Sequence, residues 1–130
     1  MQWQFSNEMP IYSKLVEQIK IGIVSGMFPP GERLPSVRDL ATEAGVNPNT
    51  MQRAMTELER DGLVYSQRTA GRFVTEDHAV IQAAKRDLAQ RHIHAFLAAM
   101  LRLGYGREEI ISLLEQEHQE EGTNHGGSGV

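Results

Sequence analysis

Cysteine is absent from this 130-residue sequence, which excludes disulfides and thiolate metal sites. Long apolar runs are also missing. None approaches the ~18–20 residues of a membrane span, so no membrane partner is expected. The opening MQWQFSNEMP lacks a basic segment followed by an apolar core, so it does not read as a secretory signal. These absences fit a cytoplasmic protein. The histidines are few: His78, His92, His94, His118 and His125, with no H-E-x-x-H among them. His92 and His94 are two apart and fall on different faces of a helix, so no metal site is expected. No nucleophile–base motif and no glycine-rich phosphate loop stands out, and neither enzyme activity nor a cofactor is expected. An excess of positive charge is lacking too, since the net charge is −4. Residues 1–76 carry 8 Lys/Arg against 9 Asp/Glu, so any binding of an anionic partner has to use a local basic face.

What is present is ordinary globular composition, with 40% hydrophobic and 23% charged residues, enough for one domain with an appendage. Ile11, Leu15, Ile19 and Ile23 recur at helical spacing, with Val16 and Val24 beside them, and predict a helix over 10–26. FPPG at 28–31 interrupts it, and Arg33-Leu34-Pro35 reads as a short extended edge. Ser36 opens a second helix, with Asp39 three residues on as a near variant of the capping box. Gly45 ends that helix, and Val46 plugs the corner.

Asn47 and Pro48 then start a third helix, as cap and first residue. Its inward stripe is Met51, Ala54, Met55 and Leu58, and Gly62 suits its C-cap. Residues 63–67 and 72–75 read as strands joined by an RTAG tip. A long helical segment over 78–103 aligns Val80, Ala84 and Leu88 in its first half. Its second half aligns Ile93, Phe96, Leu97, Met100 and Leu101 on a different side, which calls for a kink or a change of packing partner near Arg91-His92. Gly104-Tyr105-Gly106 makes a turn, and a last helix covers 107–117.

This order is a winged helix-turn-helix: mostly α with a small β-hairpin, followed by a C-terminal two-helix segment. The third helix begins Asn-Pro-Asn-Thr, which buries almost nothing. At ~100° per residue, Asn49, Arg53, Thr56 and Arg60 fall opposite the inward stripe, with Thr50 and Gln52 on the flanks. Amide, hydroxyl and guanidinium groups suit base edges in a major groove, and a helix start offers free N–H groups to phosphate. Asn47 reads as a cap rather than a reader. Arg33 and Arg38 are placed to grip the nucleic-acid backbone, and Arg68 and Arg72 flank the wing tip.

Residues 10–74 carry the combination G-x-x-x-P-G-E-R-L-P-S-x-R-x-L-A, G-V-N-P-N-T and L-E-R-D-G-L-V. That combination resembles the N-terminal winged helix of GntR-family bacterial transcription regulators. The short C-terminus and the N-P-N-T-x-Q-R-A form are similar to the YtrA subfamily. The resemblance implies double-stranded DNA as partner, with contacts at Ser36, Arg38, Asn49, Thr50, Gln52 and Arg53, and in the wing from Arg68 to Gly71. It also implies a repressor of transporter-type operons. Pro48 and Gln52 depart from the basic residues many relatives carry there, and Thr69-Ala70-Gly71 departs from a common Gly-x-Gly wing.

Three regions are expected: a DNA-binding domain over 1–76, a helical dimerisation segment over 77–118 and a disordered tail over 119–130. Leu97, Met100, Leu101, Ile110, Ile111 and Leu114 are more apolar than one helical hairpin hides, and are expected to join two copies into a homodimer. Two alternatives use the same features. A winged helix can dock on proteins instead of DNA. Alternatively, Phe96, Met100 and Tyr105 can line a pocket for an unidentified small-molecule effector.

Overall fold

A computed structural model of the chain describes residues 11–125, with side chains to residue 117. Seven elements follow in order: α1 (Ile11–Val24), α2 (Val37–Ala44), α3 (Pro48–Arg60), β1 (Val64–Gln67), β2 (Gly71–Val74), α4 (His78–Arg102) and α5 (Arg107–His125). The protein is a winged helix followed by a helical segment. No helix of the described residues is long and apolar enough to cross a membrane. Pro10, expected at the start of α1, lies outside them.

The caps act where the sequence places them. Ser36 accepts a hydrogen bond from the Asp39 amide at 3.0 Å. Gly45 adopts a left-handed conformation that closes α2, its N–H directed to the carbonyls of Ala41 and Thr42. Val46 then packs against the core. At the head of α3, Asn47 Oδ1 accepts from the Asn49 amide at 2.7 Å, and Pro48 fills the first position.

The core of the winged helix gathers on one stripe of α3. Met51, Ala54, Met55 and Leu58 are shut away from water, with Ala54, Met55 and Leu58 at 0% exposure. Leu15, Val16, Ile19 and Ile23 of α1 join the same cluster, as do Leu40 and Ala41 of α2, Leu63, Val64, Val74 and Ile81. Burying each large side chain contributes roughly 1.5–3 kcal/mol. Strands β1 and β2 pair antiparallel, with Val64 opposite Val74 and Gln67 opposite Gly71. The loop is therefore Arg68-Thr69-Ala70, and Gly71 belongs to the strand. The Leu34 amide donates to the Arg72 carbonyl at 2.8 Å, so residues 32–34 add a short third edge alongside β2.

The chain divides into two compact units after Leu88, later than the expected boundary at 76/77. Ile81 lies in the core of the first unit, so the start of α4 belongs there. Helix α4 is continuous from His78 to Arg102, and the division of the chain after Leu88 fits the change of packing partner expected near Arg91-His92. In the second unit the amides of Leu103, Gly104 and Tyr105 bond back to carbonyls of residues 99–101 and close the end of α4. Glu109 Oε1 accepts from the Gly106 amide at 2.7 Å, the carboxylate half of a capping box for α5. The tail expected from residue 119 is instead helical as far as His125; residues 126–130 lie outside the described residues.

Leu58→Ala should lower stability by about 2–5 kcal/mol, as for truncation of a sealed core leucine. Urea titration of the purified variant measures this. A loss below ~1 kcal/mol would mean that the stripe does not carry the fold.

Candidate nucleic-acid interface

Because its inward stripe is sealed, α3 can turn only one side outward. Asn49, Gln52, Arg53 and Thr56 are exposed there, and Thr50 is half-buried on the flank. The side chains of Asn49 and Gln52 make no hydrogen bond to the described residues, so their amide groups are unspent. Thr56 is different: its hydroxyl donates to the Gln52 carbonyl at 3.0 Å, leaving mainly a methyl and an acceptor to face outward. One sequence expectation is corrected. The start of α3 does not offer free N–H groups. Pro48 has none, the Asn49 amide is held by the Asn47 side chain, and the Thr50 amide bonds to the Asn47 carbonyl at 3.0 Å. The outward face acts through side chains, not through its helix terminus.

The cations of the winged helix sort into two sets. Lys20 pairs with Asp61 at 3.3 Å, Arg60 with Glu57 at 3.1 Å, and Arg72 with Glu59 at 3.5 Å. Arg33, Arg38, Arg53 and Arg68 make no ion pair among the described residues, and all four are exposed. Lys14 of α1 is also unpaired, but half-buried. The four free arginines lie before α2, on its first turn, on the outward face of α3 and at the wing tip. Net acidity is therefore compatible with a local basic face: the acids near the end of α3 are spent on Lys20, Arg60 and Arg72.

Arg72 is thus not the wing-tip grip that its position suggested. Its Nε is buried and meets only Glu59, without a hydrogen bond of normal geometry. Glu59 also accepts a hydrogen bond from Ser66 Oγ. One carboxylate of α3 therefore holds both strands of the wing. Tyr65 and Phe73 stack across the strands with centroids 5.7 Å apart and stiffen the hairpin.

Gly71 contributes through its backbone. Its φ is 97°, and a Cβ there would lie 3.0 Å from Arg33 Nε. The bare α-carbon lets the wing turn and lets the Arg33 side chain lie against it. Arg33 is thereby grouped with the wing rather than with α2. Ser36 caps α2 through its oxygen and retains its hydroxyl proton as a donor. Arg53 carries a feature that the sequence did not signal: its guanidinium carbon sits 3.8 Å from the centroid of the Tyr12 ring.

In the second unit, the side chains expected to meet another copy divide. Leu101, Ile111 and Leu114 are exposed, while Leu97 and Met100 are half-buried. Ile110 is 2% exposed and is corrected: its own chain already covers it, so it is not part of a free apolar face. Ile93, Phe96, Leu103, Tyr105 and Leu113 add to the exposed apolar surface. Among the described residues no group of His, Asp or Glu is placed to hold a metal ion.

Comparison with known proteins places these features in context. Residues 11–74 match the family described as bacterial regulatory proteins, gntR family. The uncharacterized HTH-type transcriptional regulator YhcF of Bacillus subtilis is 37% identical over 111 residues, spanning 85% of this chain and 92% of YhcF. The HTH-type transcriptional repressor YtrA of the same organism is 43% identical over 68 residues, 52% of either chain. A GntR family transcriptional regulator from Listeria monocytogenes superposes with a TM-score of 0.77 at 38% identity, covering 86% of this chain and 98% of that one. AraR(DBD), solved in complex with operator ORX1, superposes with a TM-score of 0.51 at 32% identity over 58% of this chain and 92% of its own.

Glu59→Ala should release the wing, because it strands a buried guanidinium nitrogen and removes the acceptor of Ser66. Amide exchange at residues 64–74 should accelerate by the equivalent of about 1–2 kcal/mol, while α1 keeps its protection. Equal acceleration in α1 would show a general loss of stability instead.

Proposed function

This chain belongs to the gntR family of bacterial regulatory proteins, and on that premise we propose that it is a sequence-specific DNA-binding transcriptional regulator. The reading extends to a homodimeric repressor of the short YtrA-like kind, sitting on a (pseudo)palindromic operator of a transporter-type operon. The observation that carries it is the sorting of charges. Among the arginines of the winged helix, those left without an acid among the described residues lie before α2, on its first turn, on the outward face of α3 and at the wing tip, and on α3 Asn49 and Gln52 are also unspent. Guanidinium and carboxamide groups are the side chains that read guanine and adenine edges in the major groove. In this reading Arg53, Gln52 and Asn49 face bases. Arg38, Ser36, Arg68 and Arg33 meet phosphates, with Thr50 on the groove wall and Gly71 shaping the wing.

The second unit supports a two-fold assembly. Residues 93–114 hold eight of the twelve large hydrophobic side chains exposed among the described residues, a concentration that a second copy would cover. A dimer brings two α3 helices to half-sites about one helical turn apart. Repression is then steric, through occupation of the promoter. The similarity to a named repressor over half of either chain supports that sign.

Fluorescence anisotropy against DNA from upstream of its own gene, with scrambled duplex as control and a salt series, tests the whole reading. The expected result is binding at least ~10³ tighter than the control. Equal weak binding to every duplex, with no sequence enriched from a random pool, would leave the winged helix as a protein-docking module. Arg53→Ala should cost about 1–3 kcal/mol on the preferred site and relax the choice at one base. Arg68→Ala should weaken all duplexes alike and lower the salt slope by ~1.

Leu101→Asp or Ile111→Asp should shift sedimentation from dimer to monomer, with the winged helix still folded by circular dichroism. A wild-type chain that sediments as a monomer at micromolar concentration would overturn the dimer.

A further inference from the structure

Tyr12 lies on α1, half-buried, with its ring packed against the core of the winged helix. Its exposed face supports the guanidinium of Arg53, whose carbon is 3.8 Å from the ring centroid. Arg53 is one of the unpaired arginines on the outward face of α3, and no carboxylate among the described residues competes for it. This arrangement differs from an ion pair in one chemical respect. A cation over an aromatic face keeps its whole charge, and its N–H donors are not spent on an acceptor. The ring also restricts a side chain that would otherwise lose its rotamer freedom on meeting a base.

We propose that Tyr12 is a positioning residue for DNA recognition, the platform that presents Arg53 pre-ordered to a base edge. The inference rests on the DNA-binding reading and deepens it. It makes α1, which carries none of the expected contacts, a determinant of sequence choice. The core fixes the ring, the ring fixes the guanidinium, and the ordering cost of Arg53 falls before DNA arrives.

The test uses the full chain and a duplex enriched from a randomised pool by the wild type. Tyr12→Leu should weaken binding to that duplex about two- to twelvefold, the range expected for immobilising one flexible side chain. It should also weaken the preference for the base that Arg53→Ala relaxes, while non-specific binding to scrambled DNA stays unchanged. Tyr12→Phe, which keeps the ring, should stay within about twofold of wild type. In the Arg53→Ala background, Tyr12→Leu should add nothing. Thermal melting of each variant separates these effects from loss of fold.

Three results would overturn the proposal. Tyr12→Leu and Arg53→Ala could act independently. Tyr12→Phe could lose as much as Tyr12→Leu, which would make the hydroxyl a direct contact. Tyr12→Leu could bind more tightly, which would mean that the ring parks Arg53 away from DNA. If the wild type enriches no sequence at all, the DNA-binding reading fails first, and this inference falls with it.

Discussion

Met51, Ala54, Met55 and Leu58 form a dry stripe along α3, and the rest of the first unit is arranged against it. Helix α1 brings Leu15, Ile19 and Ile23, α2 brings Leu40 and Ala41, and the hairpin brings Val64 and Val74. The stripe sets the rotation of α3 about its own axis. Turning the helix by one residue, ~100°, would expose Met51 or Met55 and draw Arg53 or Gln52 toward the core, at the cost of several buried side chains. The outward face is thus decided by the inward one. A polar first turn, which contributes little to burial, is tolerated because the stripe from Met51 to Leu58 anchors the helix.

Electrostatics then refines what packing leaves outside. From Pro48 to Thr56 the third helix contains no acid, whereas Glu57, Glu59 and Asp61 crowd its other end. Those three acids bind Arg60, Arg72 and Lys20. Net charge is a poor guide to such a surface, because exposed charges farther apart than the ~8 Å screening length at physiological salt scarcely feel one another. The local polarity along α3, an unpaired guanidinium at mid-helix and neutralised charge at the C-terminal end, is what an approaching phosphate backbone would meet.

The helices, their caps and the hairpin were legible because each rests on a local signal: Ser36 with Asp39, Gly45, Asn47 with Pro48, and the period of the α3 stripe. Less was legible where the cause lies in tertiary contact. Arg72 flanks the wing tip in sequence and looks like Arg68, but only the fold reveals that Glu59 draws it inward. The coupling of Tyr12 to Arg53 joins two helices, and nothing in the spacing of one sequence records it. Ile81 does not stand out in the sequence because the first half of α4 offers several apolar positions, and the deciding factor is which of them meets the core. The extent of α5 is hidden in the sequence for a different reason. Its last residues are polar and carry no apolar repeat, and the final Gly122-Thr123-Asn124-His125 has weak intrinsic helix preference, so their continuation of the helix leaves no periodic trace.

The modest size of the recognition face and the apolar excess of the second unit explain one another. A single winged helix that offers a few carboxamide and guanidinium side chains has a small footprint, and under the proposed reading much of its affinity is salt-sensitive phosphate attraction. Such a module gains discrimination most directly by being used twice. When two copies are joined, the second engagement is intramolecular, at an effective concentration that can reach the millimolar range, and a mismatch in either half-site is felt by the whole complex. The exposed Phe96, Leu101, Ile111 and Leu114 would be a liability on a monomer. On a proposed two-fold partner they become the means by which a small, net-acidic chain can choose one site among many.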